Sequence, residues 1–300
     1  MWLITEGIYE PFNRINTIMM QTLVAVVKGK YTSRLLNTVL DMVEAEKLIR
    51  PGDKVLIKPN CVVAKHSSTG HTTDSRVVEN IIEFVKRLGI DELIVAEGGA
   101  GRTTERAFEI TGMREMARRQ KVDLIDLNRE ARIAVEIEQP LKLHQVEIAE
   151  SVYKSTCIIN VPTLKVHHLA LVTLSMKNLM GTILPKNIMH EDIDRKIVDL
   201  ASIFKDKVKL NIVDGLVGAE TDEIRGTPVE MNLIIAGSDM VAVDTVSAAI
   251  MGIDPRKVKH LQLAAKCGLG VSDLNKIEVL GEKIDEVKRE FKLPPEFIGT

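Results

Sequence analysis

Aromatic side chains make up only 3% of the 300 residues, too few for the stacking platforms on which single-stranded nucleic acid is bound. Charge offers no substitute, because 40 Lys and Arg stand against 42 Asp and Glu and leave no basic excess to attract nucleic acid or an anionic membrane. Cysteine is rarer still. Cys61, Cys157 and Cys267 lie far apart with no CxxC spacing, which spells neither a zinc ribbon nor a standard ferredoxin cluster. Their odd number also argues against a disulfide framework. No apolar run reaches the roughly 18 residues needed to cross a bilayer, and no signal-peptide pattern opens the chain. The expectation is a cytoplasmic protein without membrane or nucleic-acid partners. A hydrophobic content of 45% supports a large core, enough for one big domain or two modest ones.

Apolar runs alternate with amphipathic stretches along the chain. Residues 1–20 lack a clear period and are read as an N-terminal extension. Gln21 to Gly29 is the expected first strand, followed by a helix carrying Leu36, Val39, Leu40 and Val43. Lys54 to Lys58 reads as a buried strand. Pro59 behind it holds the backbone extended and fixes the directions of Lys58 and Asn60, which suits either ligand contact or a plain turn. The polar loop from Cys61 to Arg76 has the composition of a lid, and the spacing of its His66 and His71 is a poor metal pattern. Asp74 is placed to cap a helix from Ser75 to Leu88. The strand Asp91 to Ala96 exits into Glu97, Gly98 and Gly99, whose backbone either approaches an anion or merely turns. Alternation from Ala131 to Leu143 predicts antiparallel ribbons. Later, a strand over Lys209 to Val213 is expected to end at Asp214, an acid suited to orienting a lysine, holding a cation or taking a proton, or to a simple turn.

Chemistry crowds one stretch, Thr156 to Pro185. A buried strand, Cys157 to Val161, is closed by Pro162. A loop then presents Lys165, His167 and His168. From Val172 the residues Val172, Met176, Leu179, Met180 and Ile183 recur at helical spacing, predicting a helix that carries Thr173, Ser175, Lys177 and Asn178. Lysines in an apolar segment need solvent or anionic partners, and α/β proteins place ligands beyond the carboxyl ends of strands, so an anion site is expected here. His190 sits just before the next helix, where it acts as a neutral donor or base, or is an exposed loop histidine.

The segment NVPTLKVHHLALVTLSMKNLMG resembles the hallmark of the family called domain of unknown function 362. LIKPN at Leu56 to Asn60, VAEGG at Val95 to Gly99, IVDGLVGAE at Ile212 to Glu220 and AGSDMVAVDTVSAAIMGIDP at Ala236 to Pro255 agree with it. The resemblance runs from about Gln21 to Gly281 and brings no settled activity. It implies the company of ferredoxin-like iron–sulfur partners, and the general layout is similar to that of nickel-pincer lactate racemases.

The expected fold is α/β: a layered, mixed and mostly parallel sheet with helices on both faces, in two lobes around a cleft. Residues 21–150 form the first lobe with the KPN and EGG loops, and residues 151–300 the second with the Lys/His motif. The favoured function is an enzyme acting on a small carboxylate or phosphate by Lys/His acid–base chemistry. His167, Lys165, His190 and Asp214 are the catalytic candidates. Lys58, Asn60, Glu97, Gly98, Gly99, Thr173, Lys177 and Asn178 are the anion-binding candidates. No metal ligands or cofactor are assigned. Two alternatives stand beside this reading: a racemase-like enzyme with a metal-containing cofactor, and a non-catalytic small-ligand or cofactor-binding protein associated with iron–sulfur partners. Homo-oligomerisation stays open.

Overall fold

Short β-branched runs gather into one ten-stranded sheet in the computed structural model, which describes residues 22–101 and 103–299. The expected extension, residues 1–20, lies outside the described residues. In chain order the strands are β1 (Thr22–Lys28), β2 (Val55–Pro59), β3 (Leu93–Glu97), β4 (Asp123–Asp126), β5 (Arg132–Glu136), β6 (Gln145–Ala149), β7 (Cys157–Val161), β8 (Thr163–His167), β9 (Leu171–Thr173), β10 (Ile183–Leu184), β11 (Val208–Glu220), β12 (Thr227–Gly237) and β13 (Ile277–Gly281). The main sheet runs β13-β1-β12-β11-β7-β2-β3-β4. Its strands from β11 to β4 are mutually parallel, as are β1 and β13, while β12 is antiparallel to both of its neighbours. This is the mixed, mostly parallel α/β sheet that the sequence implies. The expected ribbon is β5 with β6, joined by β10 in a separate antiparallel sheet.

Both faces of the main sheet are covered, which is why its strands read as continuous apolar runs. Val55 and Ile57 enter one core and Leu56 the other; Ile159 and Ile158 divide in the same way. Helices α1 (Ser33–Met42), α2 (Ser75–Arg87), α3 (Thr104–Ile110) and α4 (Met113–Gln120) contribute to the first core. Past the short α5 (Glu150–Lys154) and α6 (Ser175–Asn178), helices α7 (Ile193–Phe204), α8 (Met240–Ile250) and α9 (Lys259–Lys266) contribute to the second. In α2 the stripe Val77, Val78, Ile81, Ile82 and Val85 is fully buried, each side chain supplying roughly 1.5–3 kcal/mol. Asp74 caps this helix by accepting from the Arg76 amide at 2.9 Å, worth about 1 kcal/mol. Strands from both halves of the chain interleave, since β2, β3 and β4 lie beside β7 while β1 lies between β12 and β13. Among the described residues, no helix is long and apolar enough to cross a membrane.

Three expectations are corrected. The chain does not leave the sheet at Pro162: β8 continues beside β11, with the Asp214 amide donating to the Pro162 carbonyl at 2.8 Å, so Lys165 and His167 are strand residues. Nor does β11 end at Asp214, because β12 pairs with it as far as Glu220. Finally, no long helix starts at Val172. That residue pairs with Val166, and the helix is delayed to Ser175 because the buried Asp244 carboxylate accepts from the amides of Ser175 and Met176 at 2.7 and 2.9 Å. After α6 a 3₁₀ turn over Leu179–Thr182 leads into β10.

Candidate functional site

The parallel strands β2, β3 and β7 deliver their carboxyl ends to one edge, where the switch from β7 to β8 lets α6 pack across them. At this edge lies a cavity of about 420 Å³ lined by residues from six segments, among them Asn60, Glu97, Lys165, His167, Lys177 and Glu223. Thr173, Asn178, Gly98, His168, Lys186 and His190 also line it.

Lys58 is fully buried, and its ammonium lies 3.0 Å from both oxygens of Glu97. Glu97 also accepts from the Cys61 amide at 3.1 Å and the Gly98 amide at 2.7 Å. This carboxylate is therefore saturated, and the lysine's charge is spent inside the protein. A Cβ on Gly98 would come within 2.4 Å of the Gly181 carbonyl, and one on Gly181 within 2.2 Å of Glu97 Oε1. Here the glycines permit two chain segments to meet. The Gly98 amide is taken by Glu97 and the Gly99 amide by Thr104 Oγ1 at 3.1 Å, so the anion cradle expected at the EGG turn has no free donors at these two amides.

A row of side-chain amides links this pair to the second lysine. Asn178 Oδ1 accepts from Lys58 at 3.3 Å and from Asn60 Nδ2 at 2.8 Å, while Asn60 Oδ1 accepts from Lys165 at 2.8 Å. Asn178 in turn donates to Asn160 at 2.8 Å, and Asn160 donates to Asn211 at 3.1 Å. Lys165, only 1% exposed, has one further hydrogen-bond partner among the described residues, the His71 carbonyl at 2.9 Å. Among the described residues no carboxylate bonds to it. Burial, reinforced by the nearby Lys177 ammonium, pulls Lys165 down to about 7. Lys177 makes no hydrogen bond among the described residues and is lowered to about 8 by burial, with Glu223 opposing the shift. Thr173, opposite Lys165 on β9, keeps a buried hydroxyl without a partner.

The two imidazoles stack with centroids 4.8 Å apart and planes 18° from parallel. Their surroundings fix opposite tautomers. His167 Nδ1 accepts from the amides of Leu169 and Ala170 at 3.0 and 3.3 Å, which places the ring proton on Nε2. Burial and the Lys177 charge hold His167 far below the usual imidazole range, so it stays a neutral donor. His168 instead lies with Nδ1 2.7 Å from Glu223 Oε1 and donates its N–H there, leaving the Nε2 lone pair free. His167, His168 and Glu223 offer ligand atoms within 4.8 Å of one another, as a metal-binding trio would. The fit fails at His167: a metal on Nε2 needs the proton on Nδ1, where two amide hydrogens already point.

Most of the anticipated residues thus converge, with altered roles for Lys58, Glu97, Gly98 and Gly99. His190 stands exposed at the rim, behind the 3₁₀ turn Lys186–Met189. Asp214 does not join the site. Because β11 continues past it, its side chain accepts from the amides of Asp74 and Leu216 at 2.7 and 3.1 Å and lines a different cavity with Tyr31 and Arg76. Burial raises it to about 7. Glu223, rather than Asp214, is the carboxylate that meets the histidines, 55 residues from the one that it orients. Glu223 was missed because it lies on a separate loop with no spacing relation to the Lys/His stretch, and Lys186, which directly follows that stretch, because it sits outside the helical pattern that drew attention to Lys177. His168 was visible beside His167, but nothing local told the two apart.

The fold bears a loose likeness to the lactate racemase apoprotein of Thermoanaerobacterium thermosaccharolyticum, with a TM-score of 0.42 and 13% identity over 82% of this chain. The chain spans 57% of that racemase, and the likeness carries no statement about chemistry. A thylakoid-associated protein of Synechocystis sp. is 22% identical over 254 residues, covering 82% of this chain and 78% of that one. From the KPN strand to the helix after β12, residues 55–249 match the family model described as Domain of unknown function (DUF362), and with that match the chain belongs to the DUF362 family.

Proposed function

We propose that this DUF362 protein is an enzyme that binds a small carboxylate- or phosphate-bearing substrate in the 420 Å³ cavity and moves a proton on it. The observation that carries the reading is the placement of the buried Lys165 and the half-buried Lys177 at one cavity with no carboxylate hydrogen-bonded to either among the described residues. Two mutually repelling ammonium groups favour an anion between them, and an anion returns to Lys165 the proton that burial discourages. The unpartnered Thr173 hydroxyl supplies a further donor. His168 Nε2 takes the proton, and Glu223 behind it stabilises the imidazolium as it forms. His167 Nε2–H, held neutral, donates to negative charge that develops on a substrate oxygen.

Melting curves at pH 7 with phosphate, sulfate and malonate test the binding half. An anion present at one hundred times its dissociation constant stabilises by about 2.7 kcal/mol, and Lys177→Met removes that gain. Solvent-deuterium exchange into a panel of carboxylic acids with an activated C–H bond, followed by NMR, tests the catalytic half. Exchange lost in His168→Ala, with anion binding retained, supports it. Binding without exchange across the panel reduces the protein to a receptor.

A further inference from the structure

We infer that the substrate carries an apolar body behind its anionic head. The inference rests on the anion-binding reading above and follows from how the cavity changes with depth. At its floor stand Lys165, His167, Thr173 and Asn178, at 1%, 6%, 4% and 3% exposure. At its mouth, beside the exposed His190, the cavity gains apolar side chains. Leu169 and Ile224 line the same cavity at 36% and 39% exposure, and they are two of only seven large hydrophobic residues exposed among the described residues.

The two loops that carry them are held together by hydrogen bonds. His168 donates both its amide, at 3.2 Å, and its ring N–H, at 2.7 Å, to Glu223, which ties the β8–β9 turn to the loop after β11. Leu169 and Ile224 are the next residue on each side of that tie. Lys65 pins the second loop by donating to the Ile224 carbonyl at 2.5 Å. Met180 and Ile193 continue the apolar wall inward. A bare dianion gains nothing from such a lip, whereas exposed leucine and isoleucine side chains gain when a hydrocarbon covers them. The geometry fits an anionic head, carboxylate or phosphate, seated on Lys165 and Lys177 with an alkyl or similar body passing between Leu169 and Ile224.

Calorimetric titration of the full chain at pH 7 with acetate, butyrate, hexanoate and octanoate, and with malonate and phosphate as headgroup probes, decides it. The expected affinity rises about fourfold per added methylene until the chain passes the mouth. The double variant Leu169→Asn/Ile224→Asn should flatten that rise, and Lys177→Met should weaken the whole series. If acetate, malonate and phosphate bind but the series is flat, the apolar body is refuted while the anion site stands. If none of the six binds, the anion reading itself fails. A chain-length rise that survives Lys177→Met at full strength shows a greasy surface with no headgroup site, and also overturns the inference.

Discussion

Replacing Lys165 by methionine should stabilise the protein in mild acid and destabilise it in alkali. The ammonium is buried and among the described residues its hydrogen bonds go to neutral oxygens, so the folded protein releases that proton near pH 7, whereas the unfolded chain holds it to the ordinary 10.5. A depressed folded-state pKa means that the unfolded state binds more protons between these values, so stability rises with pH across the window from 7 to 10.5 and falls as pH drops back through it. The cost of the charged lysine is on the order of 5 kcal/mol at pH 6 and about 1 kcal/mol at pH 10. Methionine removes this cost and strands two buried acceptors, Asn60 Oδ1 and the His71 carbonyl, at about 3 kcal/mol together. The difference between variant and parent is then about +2 kcal/mol at pH 6 and about −2 kcal/mol at pH 10. Urea denaturation of both proteins at pH 6, 8 and 10 in an anion-poor buffer measures it, and buried groups uncoupled from Lys165, Asp214 and Asp244 among them, cancel in the comparison. A difference that keeps one value across the three pH points would refute the placement of an unpaired amine in this cavity.

Other parts of the frame answer to simpler perturbations. Asp199 on α7 accepts from three successive amides, Leu141, Lys142 and Leu143, at 2.7–2.8 Å, so Asp199→Asn should cost about 2–4 kcal/mol by denaturant melts. Gly181→Ala should drive apart the buried Lys58–Glu97 pair that its Cβ would touch, costing about 3–5 kcal/mol and with it the malonate-dependent gain in Tm. With a thiol-specific disulfide reagent, one thiol, the exposed Cys267, should react in the native protein, because Cys61 and Cys157 are buried and burial pushes the latter up to about 12. Reaction of two or three thiols before unfolding would show that the core around β2 and β7 is open.

The parts of this protein legible in its sequence are those whose cause is local. Asp74 before α2 and Asp239 before α8 cap the helices they precede, because a cap acts over two or three residues and leaves a readable spacing. That Asn60 and the segment after β7 come to one edge was readable because parallel strands deliver their carboxyl ends together, whereas the pairing of Lys58 with Glu97 and the place of Lys165 within β8 were not. A one-turn helix such as α6 holds little more than one period, so no periodicity can bound it, and its start is set by Asp244, 69 residues away. The same limit explains the exchange of one carboxylate for another. Asp214 and Glu223 look alike as acids near the end of a β-branched run. Which of them reaches the cavity depends on where β11 stops, and β11 stops where its hairpin with β12 turns, after Glu220 pairs with Thr227. Once that hairpin carries the chain six residues past Asp214, the aspartate is left against the amides of Asp74 and Leu216, and the next loop brings Glu223 to His168. The choice of carboxylate at this cavity is thus made by a strand length, a property of the sheet that neither residue carries by itself.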